Sequence, residues 1–176
     1  IKKWNGPFAL KGIMSVEDAK KAIDIGASAI MISNHGGRQL DGSRAPFDQL
    51  QTIVDAVGDK VEVILDGGVQ RGTHVLKALA LGAKACSIGK AYLYGLSAGG
   101  QEGVEQIVGK LRDEIQRGMT LMGCRSVKEL TKDKLNKYLQ EVEIVYTAVN
   151  GIYWINTKTT YEKDILFIDE KIIIYT

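Results

Sequence analysis

Ala29-Ile30-Met31-Ile32-Ser33-Asn34-His35-Gly36-Gly37-Arg38-Gln39-Leu40-Asp41 changes character in a single step. Its first four residues are a short apolar run that reads as a buried strand. The rest is polar and carries two glycines, which reach backbone conformations that a Cβ resists. The glycines stand between a histidine and an arginine. His35 can exchange a proton near neutral pH. Arg38 keeps its charge and presents a planar fork that matches a carboxylate. A base and an anion clamp, three residues apart at a strand end, describe a site for an acid substrate that must lose a proton. A lone histidine behind a strand is more often structural, so the weight rests on the whole stretch.

The same rhythm of apolar run, glycine turn and helix recurs on both sides of it. Phe8-Ala9-Leu10 reads as a strand ending at Lys11-Gly12. Ser15, with Asp18 three positions on, predicts a capped helix that stops at Gly26. Pro46 opens a helix with Leu50, Ile53, Val54 and Val57 on one face and Gly58 at its end. Val61–Leu65 predicts a third strand, closed by Asp66-Gly67-Gly68. Thr73 is expected to cap the next helix. Ala85–Ile88 predicts a fourth strand ending at Gly89-Lys90, and a long helix follows with Val104, Ile107, Val108, Leu111, Ile115 and Met119 on one face. Ser126 and Glu129 form a second capping box. Lys21–Ala29 (KAIDIGASA) is echoed by Lys77–Ala85 (KALALGAKA). Four strand–helix units with an internal echo argue for parallel strands covered by helices. A (β/α)8 barrel and a doubly wound sheet both place function at the C-terminal ends of such strands. The periodicity alone leaves both open.

With 176 residues the chain can bury a real core. A net charge of +2 gives no argument for nucleic acid. Cys86 and Cys124 suggest neither a disulfide framework nor a zinc site. Cys86 sits in a strand pattern and is expected in the core, His74 is expected at the surface, and Met119 and Met122 in packing. No apolar run approaches a membrane span and no signal peptide is visible.

The nonapeptide Ser33–Asp41 resembles the signature of the FMN-dependent α-hydroxy-acid oxidases and dehydrogenases, the family of glycolate oxidase, lactate oxidase, L-lactate dehydrogenase and mandelate dehydrogenase. Asp66-Gly67-Gly68-Val69-Gln70-Arg71-Gly72-Thr73 and Ile88-Gly89-Lys90 resemble that family's two FMN-phosphate segments. The stretch Lys90–Leu96, followed by Gly99–Gly103, looks most like the bacterial lactate and mandelate dehydrogenases. The resemblance runs from Gly6 to about Leu135. It implies the second half of a (β/α)8 TIM barrel, four β/α units, ahead of a β-rich tail. We therefore divide the chain into 1–138 and 139–176.

The resemblance further implies FMN as cofactor and oxidation of a lactate-like L-2-hydroxy acid to the 2-oxo acid. Electrons would pass to a quinone, a cytochrome or oxygen. His35 would be the base, also touching substrate, and Arg38 the carboxylate clamp. Lys11 and Ser33 would contact the flavin. Asp66, Gly67, Gly68, Gln70, Arg71, Gly89 and Lys90 would form the rest of the cofactor site. Gln70 and Lys90 stand where the family pattern has arginines, so the phosphate segments here carry less forked charge, with Arg71 left to compensate. The implied location is cytoplasmic, with peripheral attachment at the inner face of a bacterial membrane. Half a barrel leaves open strand edges, so a homo-oligomer is expected. The rival reading is a non-catalytic half-barrel that binds phosphate or flavin weakly, or only packs with a partner.

The tail differs in composition. Val142–Tyr146, Ile152–Ile155, Ile165–Ile168 and Ile172–Tyr175 read as strands, with Asn150-Gly151 as a hairpin turn. It fits a small β-appendage, and equally out-of-family sequence joined to a broken gene.

Overall fold

The computed structural model describes residues 3–135, and the backbone of four later strands at 145–149, 152–156, 165–168 and 171–174. The chain divides into two compact units, 1–135 and 136–176.

In the first unit, strands and helices alternate without exception: β1 (Ala9–Ile13), α1 (Val16–Asp24), β2 (Ala29–Ile32), α2 (Pro46–Val57), β3 (Glu62–Asp66), α3 (Gly72–Ala80), β4 (Ala85–Ser87) and α4 (Lys90–Leu121). All strand pairs are parallel, in the order β1-β2-β3-β4. A doubly wound sheet reverses its strand order at a switch point. This sheet steps in one direction throughout, and right-handed crossovers then keep the helices on one face. Sequential order settles what periodicity left open: the unit is four consecutive units of a barrel-type sheet.

The core follows from position in that sheet. Ile30, Ile32, Val63 and Leu65 of the two central strands are fully or almost fully buried. Leu50, Ile53 and Val57 of α2 pack on them, with Ala19 and Ala22 of α1. Each such aliphatic side chain contributes on the order of 1.5–3 kcal/mol by leaving water. A second cluster joins Leu76 and Ala80 of α3 to Ile115 and Met119 of α4, and to Cys124 and Leu130. Cys86 is half-buried, and burial pushes its thiol up to about 11.

Local signals explain most helix ends. The Ser15 hydroxyl accepts the Asp18 N–H at 3.1 Å, and Pro46 sits at the start of α2. Four expectations need correction. Thr73 does not cap α3: the helix begins at Gly72, whose N–H donates to Glu114 of α4 at 2.7 Å. The cap comes from 42 residues away, which no local pattern encodes. Ser126 makes no side-chain cap, and Glu129 accepts the Arg125 N–H at 3.0 Å instead. Val108 is exposed rather than on the packed face of α4. Finally, the long helix begins already at Lys90 and is broken at Gly99-Gly100, where Gly100 has φ +57°.

That break folds α4 into a tight pair of segments, 90–98 and 101–121. Their backbones meet at two glycines. A Cβ on Gly95 would stand 2.6 Å from the carbonyl oxygen of Gly103, and a Cβ on Gly103 would run into Gly95. Backbone cannot yield as a flexible side chain does. Gly103→Leu is therefore expected to destabilise the unit by about 1–3 kcal/mol or more. A urea titration reading helical circular dichroism checks this, and an unchanged midpoint would contradict the packing.

In the second unit, β5 (Val145–Val149), β6 (Ile152–Asn156), β7 (Ile165–Ile168) and β8 (Lys171–Ile174) form an antiparallel meander. The last three strands match the sequence reading to within a residue. The first is described at Val145–Val149 against an expected Val142–Tyr146, and 142–144 fall outside the described residues. Val149 pairs with Ile152 across the expected Asn150-Gly151 turn, whose own residues also fall outside them.

Candidate functional site

Because all four strands run the same way, their C-terminal ends converge. A cavity of about 640 Å³ opens there, lined from every strand end. β1 contributes Lys11. The β2 loop contributes Asn34 to Arg38, and the β3 loop Asp66 to Gln70. Gly89, Lys90, Ala91 and Leu93 come from the turn after β4 and the start of α4.

The signature loop is held open from beneath. After β2 the chain forms a short 3-10 turn, His35–Gly37. Asn34 organises it: its side-chain oxygen accepts the Gly37 N–H at 3.2 Å, and its amide donates to the Arg44 carbonyl at 3.2 Å. His35 has φ +59°, in the left-handed region that a residue with a Cβ rarely occupies. Such a conformation persists only where its surroundings over-determine it, and it clusters at functional sites. Here the determinant is Ser33. Its buried hydroxyl accepts the His35 N–H at 3.1 Å and donates its own proton to Asp66 at 2.6 Å. Both the His35 and Arg38 side chains stand exposed at the cavity.

Asp66 is the hub of the floor. Besides the Ser33 proton it takes an ion pair from Lys11. Burial pulls its carboxyl upward, but the Lys11 ammonium and the Ser33 and Ser87 hydroxyls outweigh that and hold it below the usual aspartate range. A carboxylate depressed in the folded state adds stability that is fully present above its unfolded pKa. That stability is lost as pH falls through the folded value. Asp66→Asn should accordingly lower the melting temperature near neutral pH and flatten its decline on acidification. Parallel melting curves for parent and variant, differing only by a constant, would contradict this role.

Glycines shape the anion side. Gly67 and Gly68 have φ of +116° and +74°, which turn the β3 loop back toward the cavity. Apart from their own chain neighbours, no atom stands within 4 Å of where a Cβ on Gly68 or Gly89 would lie, so a ligand can approach the backbone closely there. Lys90 reaches across to donate to the Gly36 carbonyl at 3.1 Å, linking this side to the signature loop.

Of the residues expected at the site, Lys11, His35, Arg38, Asp66, Gly67, Gly68, Gln70, Gly89 and Lys90 line the one cavity. Ser33 and Arg71 do not. Ser33 lies beneath it, making a local backbone bond and holding Asp66. The Arg71 guanidinium is engaged by Glu114 at 2.9 and 3.1 Å, and that contact holds the Glu114 carboxyl below its usual range. Arg71 thus braces α3 against α4 and does not replace the charge missing at Gln70. Two residues went unread. Asn34 follows the pattern of a side chain that closes its own turn, a signal present in the sequence. His74, expected at the surface, is half-buried, with Nδ1 3.2 Å from the Gly68 carbonyl and 3.3 Å from the Gln70 N–H. It latches the β3 loop through a contact that becomes visible only once the loop has turned.

Comparison with known proteins identifies this arrangement. A family profile described as FMN-dependent dehydrogenase matches residues 1–137. The chain is 51% identical over 133 residues to the pre-mycofactocin synthase of Mycolicibacterium smegmatis, covering 76% of this chain and 33% of that one. It is 50% identical over 124 residues to the L-lactate oxidase of Nostoc sp., covering 70% and 34%. With the mouse 2-hydroxyacid oxidase 1 it shares 49% identity over 131 residues, covering 74% and 35%. A crystal structure of mandelate oxidase with 3,3-difluoro-2-hydroxy-3-phenylpropionic acid superposes with a TM-score of 0.70 at 47% identity, covering 73% of this chain and 39% of the other. The chain therefore spans about a third of the length of the curated relatives it matches. The parallel four-unit sheet is part of a (β/α)8 TIM barrel, and the chain belongs to the FMN-dependent dehydrogenase family.

Proposed function

We propose that this chain contributes the catalytic half of an FMN-dependent enzyme that oxidises a lactate-like L-2-hydroxy acid to the 2-oxo acid. The observation that carries the reading is the convergence of His35, Arg38, Lys11 and two glycine loops on one cavity at the strand ends.

The residues present fit FMN. The side-chain-free backbone of Gly68 and Gly89 at the cavity, with the Lys90 ammonium in the same lining, suits a phosphate. In a (β/α)8 barrel the loops after the last two strands are a recurrent phosphate site, and here they are the loops after β3 and β4. Lys11 would set a positive charge beside the flavin ring, where negative charge develops on reduction. Its pairing with Asp66 fixes the ammonium in place. Bound FMN would supply the two-electron acceptor.

The chain's own residues do the rest. Arg38 would take the substrate carboxylate through its fork. His35, aimed by its left-handed backbone, would accept the proton the substrate gives up. An acceptor such as oxygen, a quinone or a cytochrome would then reoxidise the cofactor. The L-lactate oxidase and 2-hydroxyacid oxidase among the relatives support the 2-hydroxy-acid class.

The test is to fuse residues 1–135 behind the preceding segment of the Nostoc L-lactate oxidase, load FMN, and add L-lactate without oxygen. Bleaching of the flavin absorbance is the expected result. Tight FMN binding without bleaching by any small 2-hydroxy acid would favour the non-catalytic reading.

A further inference from the structure

We propose that His74 is a positioning residue of the β3 loop whose protonation favours an anion there, so that binding of the FMN phosphate draws a proton from solvent onto its ring. The proposal deepens the reading above and rests on its placing of the phosphate at the β3 and β4 loops.

His74 stands in the first turn of α3, and its ring turns back onto the loop that enters the helix. One atom, Nδ1, lies 3.2 Å from the Gly68 carbonyl oxygen and 3.3 Å from the Gln70 nitrogen. A ring nitrogen carries a lone pair or a proton, never both. With the lone pair, Nδ1 accepts the Gln70 N–H and gives nothing to Gly68. With the proton, it donates to the Gly68 carbonyl and releases Gln70. The two contacts exclude each other. A neutral ring that accepts from Gln70 carries its proton on Nε2, so the incoming proton goes to Nδ1 and hands the latch from Gln70 to Gly68.

The loop is built for such a handover. Val69, between the two latched residues, is buried in the main core. Gly68 and Gln70 on either side of it both line the cavity. The latch therefore acts on the two loop residues nearest a ligand, about a fixed centre.

The other charged groups at this end of α3 are engaged or lie further along. From α4, Glu114 takes the Arg71 guanidinium and the Gly72 N–H. From the sheet, Asp66 holds Lys11. Lys90 donates to the Gly36 carbonyl, and Lys77 stands in the last turn of α3. Gln70 is neutral. A proton on His74 thus brings a positive charge into direct contact with the loop. Alone, that charge is unfavourable, because a helix N-terminus repels a cation in its first turn. An anion at the loop is attracted by both and removes the conflict. Such coupling is reciprocal: the factor by which the proton raises phosphate affinity is the factor by which phosphate raises proton affinity. The advantage of a phosphate at this loop should grow as pH falls through the range where histidines titrate.

The experiment uses the full chain fused behind the preceding segment of the Nostoc L-lactate oxidase. Riboflavin, which lacks the phosphate, is the reference ligand. His74→Asn keeps a hydrogen-bonding side chain and does not titrate. Comparing parent with variant cancels the titration of the phosphate itself. At about pH 8 the preference for FMN over riboflavin should be alike in the two proteins, and at about pH 5.5 the parent's should be about fivefold larger or more. A second measurement needs no variant. By nuclear magnetic resonance, the ratio of protonated to neutral His74 in the parent should be about fivefold higher with FMN than with riboflavin near neutral pH, and the Gln70 amide should shift in step with the ring. A His74 ratio that is the same with either ligand would overturn the proposal. So would a preference for FMN that follows pH identically in parent and variant, which would leave the phosphate reading standing. No preference for FMN at any pH would overturn both.

Discussion

In the fused enzyme, His35→Gln is expected to slow flavin reduction by L-lactate by about 10²–10⁴-fold, the usual contribution of a positioned general base. FMN affinity should stay nearly constant, because the groups facing the phosphate belong to the β3 and β4 loops. The substitution is structurally mild for a definite reason. What fixes the loop is the backbone N–H of residue 35 on the Ser33 hydroxyl, and glutamine keeps that N–H. The left-handed backbone at φ +59° needs a control, and His35→Asn supplies one, since asparagine tolerates that region well. Both variants should be slow. Reduction near the parent rate in either, followed in a stopped flow, would remove His35 as the base.

Much of the fold was legible from local information, although Thr73 and Ser126, equally local signals, cap nothing. Ser15, Pro46, Gly26 and Gly58 mark helix ends through interactions within a few residues, and the structure follows them. The choice between barrel and doubly wound sheet was different. It depends on which strand lies beside which, and apolar periodicity carries no such information. The Gly72–Glu114 cap and the Arg71–Glu114 pair failed to register for the same reason, spanning more than forty residues. Gly95 and Gly103 could have been noticed, but their role is to let two backbones touch across a break that hydrophobic spacing does not reveal.

For the site, residue type located the chemistry and could not assign its layers. Ser33, Asp66 and Lys11 all looked like ligand contacts. Their geometry also forms a supporting chain, in which the Lys11 ammonium and the Ser33 proton both go to Asp66 while Ser33 holds the His35 backbone. Lys11 and Asp66 also line the cavity, and of the two only Lys11 has a substantially exposed side chain. Arg71 shows the limit most clearly. A second arginine beside Gln70 looks like a spare phosphate ligand until Glu114 is seen to hold it.

Arg38→Met is expected to weaken L-lactate binding to the fused enzyme by about 10–150-fold, which is roughly 1.5–3 kcal/mol for a charge-assisted pair. FMN binding should hardly change, since the guanidinium belongs to the signature loop and not to the glycine loops. Arg38→Lys separates charge from geometry. An ammonium keeps the attraction but loses the two parallel N–H donors, so its affinity should fall between parent and methionine variant. The magnitude depends on enclosure. In this chain Arg38 is exposed, and an exposed pair is screened by water and salt to a fraction of its enclosed value. The same substitution tested on the 176-residue chain should therefore change lactate binding little. Titrating both proteins with L-lactate and following flavin absorbance makes the comparison. Equal losses of lactate and FMN affinity in the fused enzyme would show that Arg38 supports the loop rather than the carboxylate.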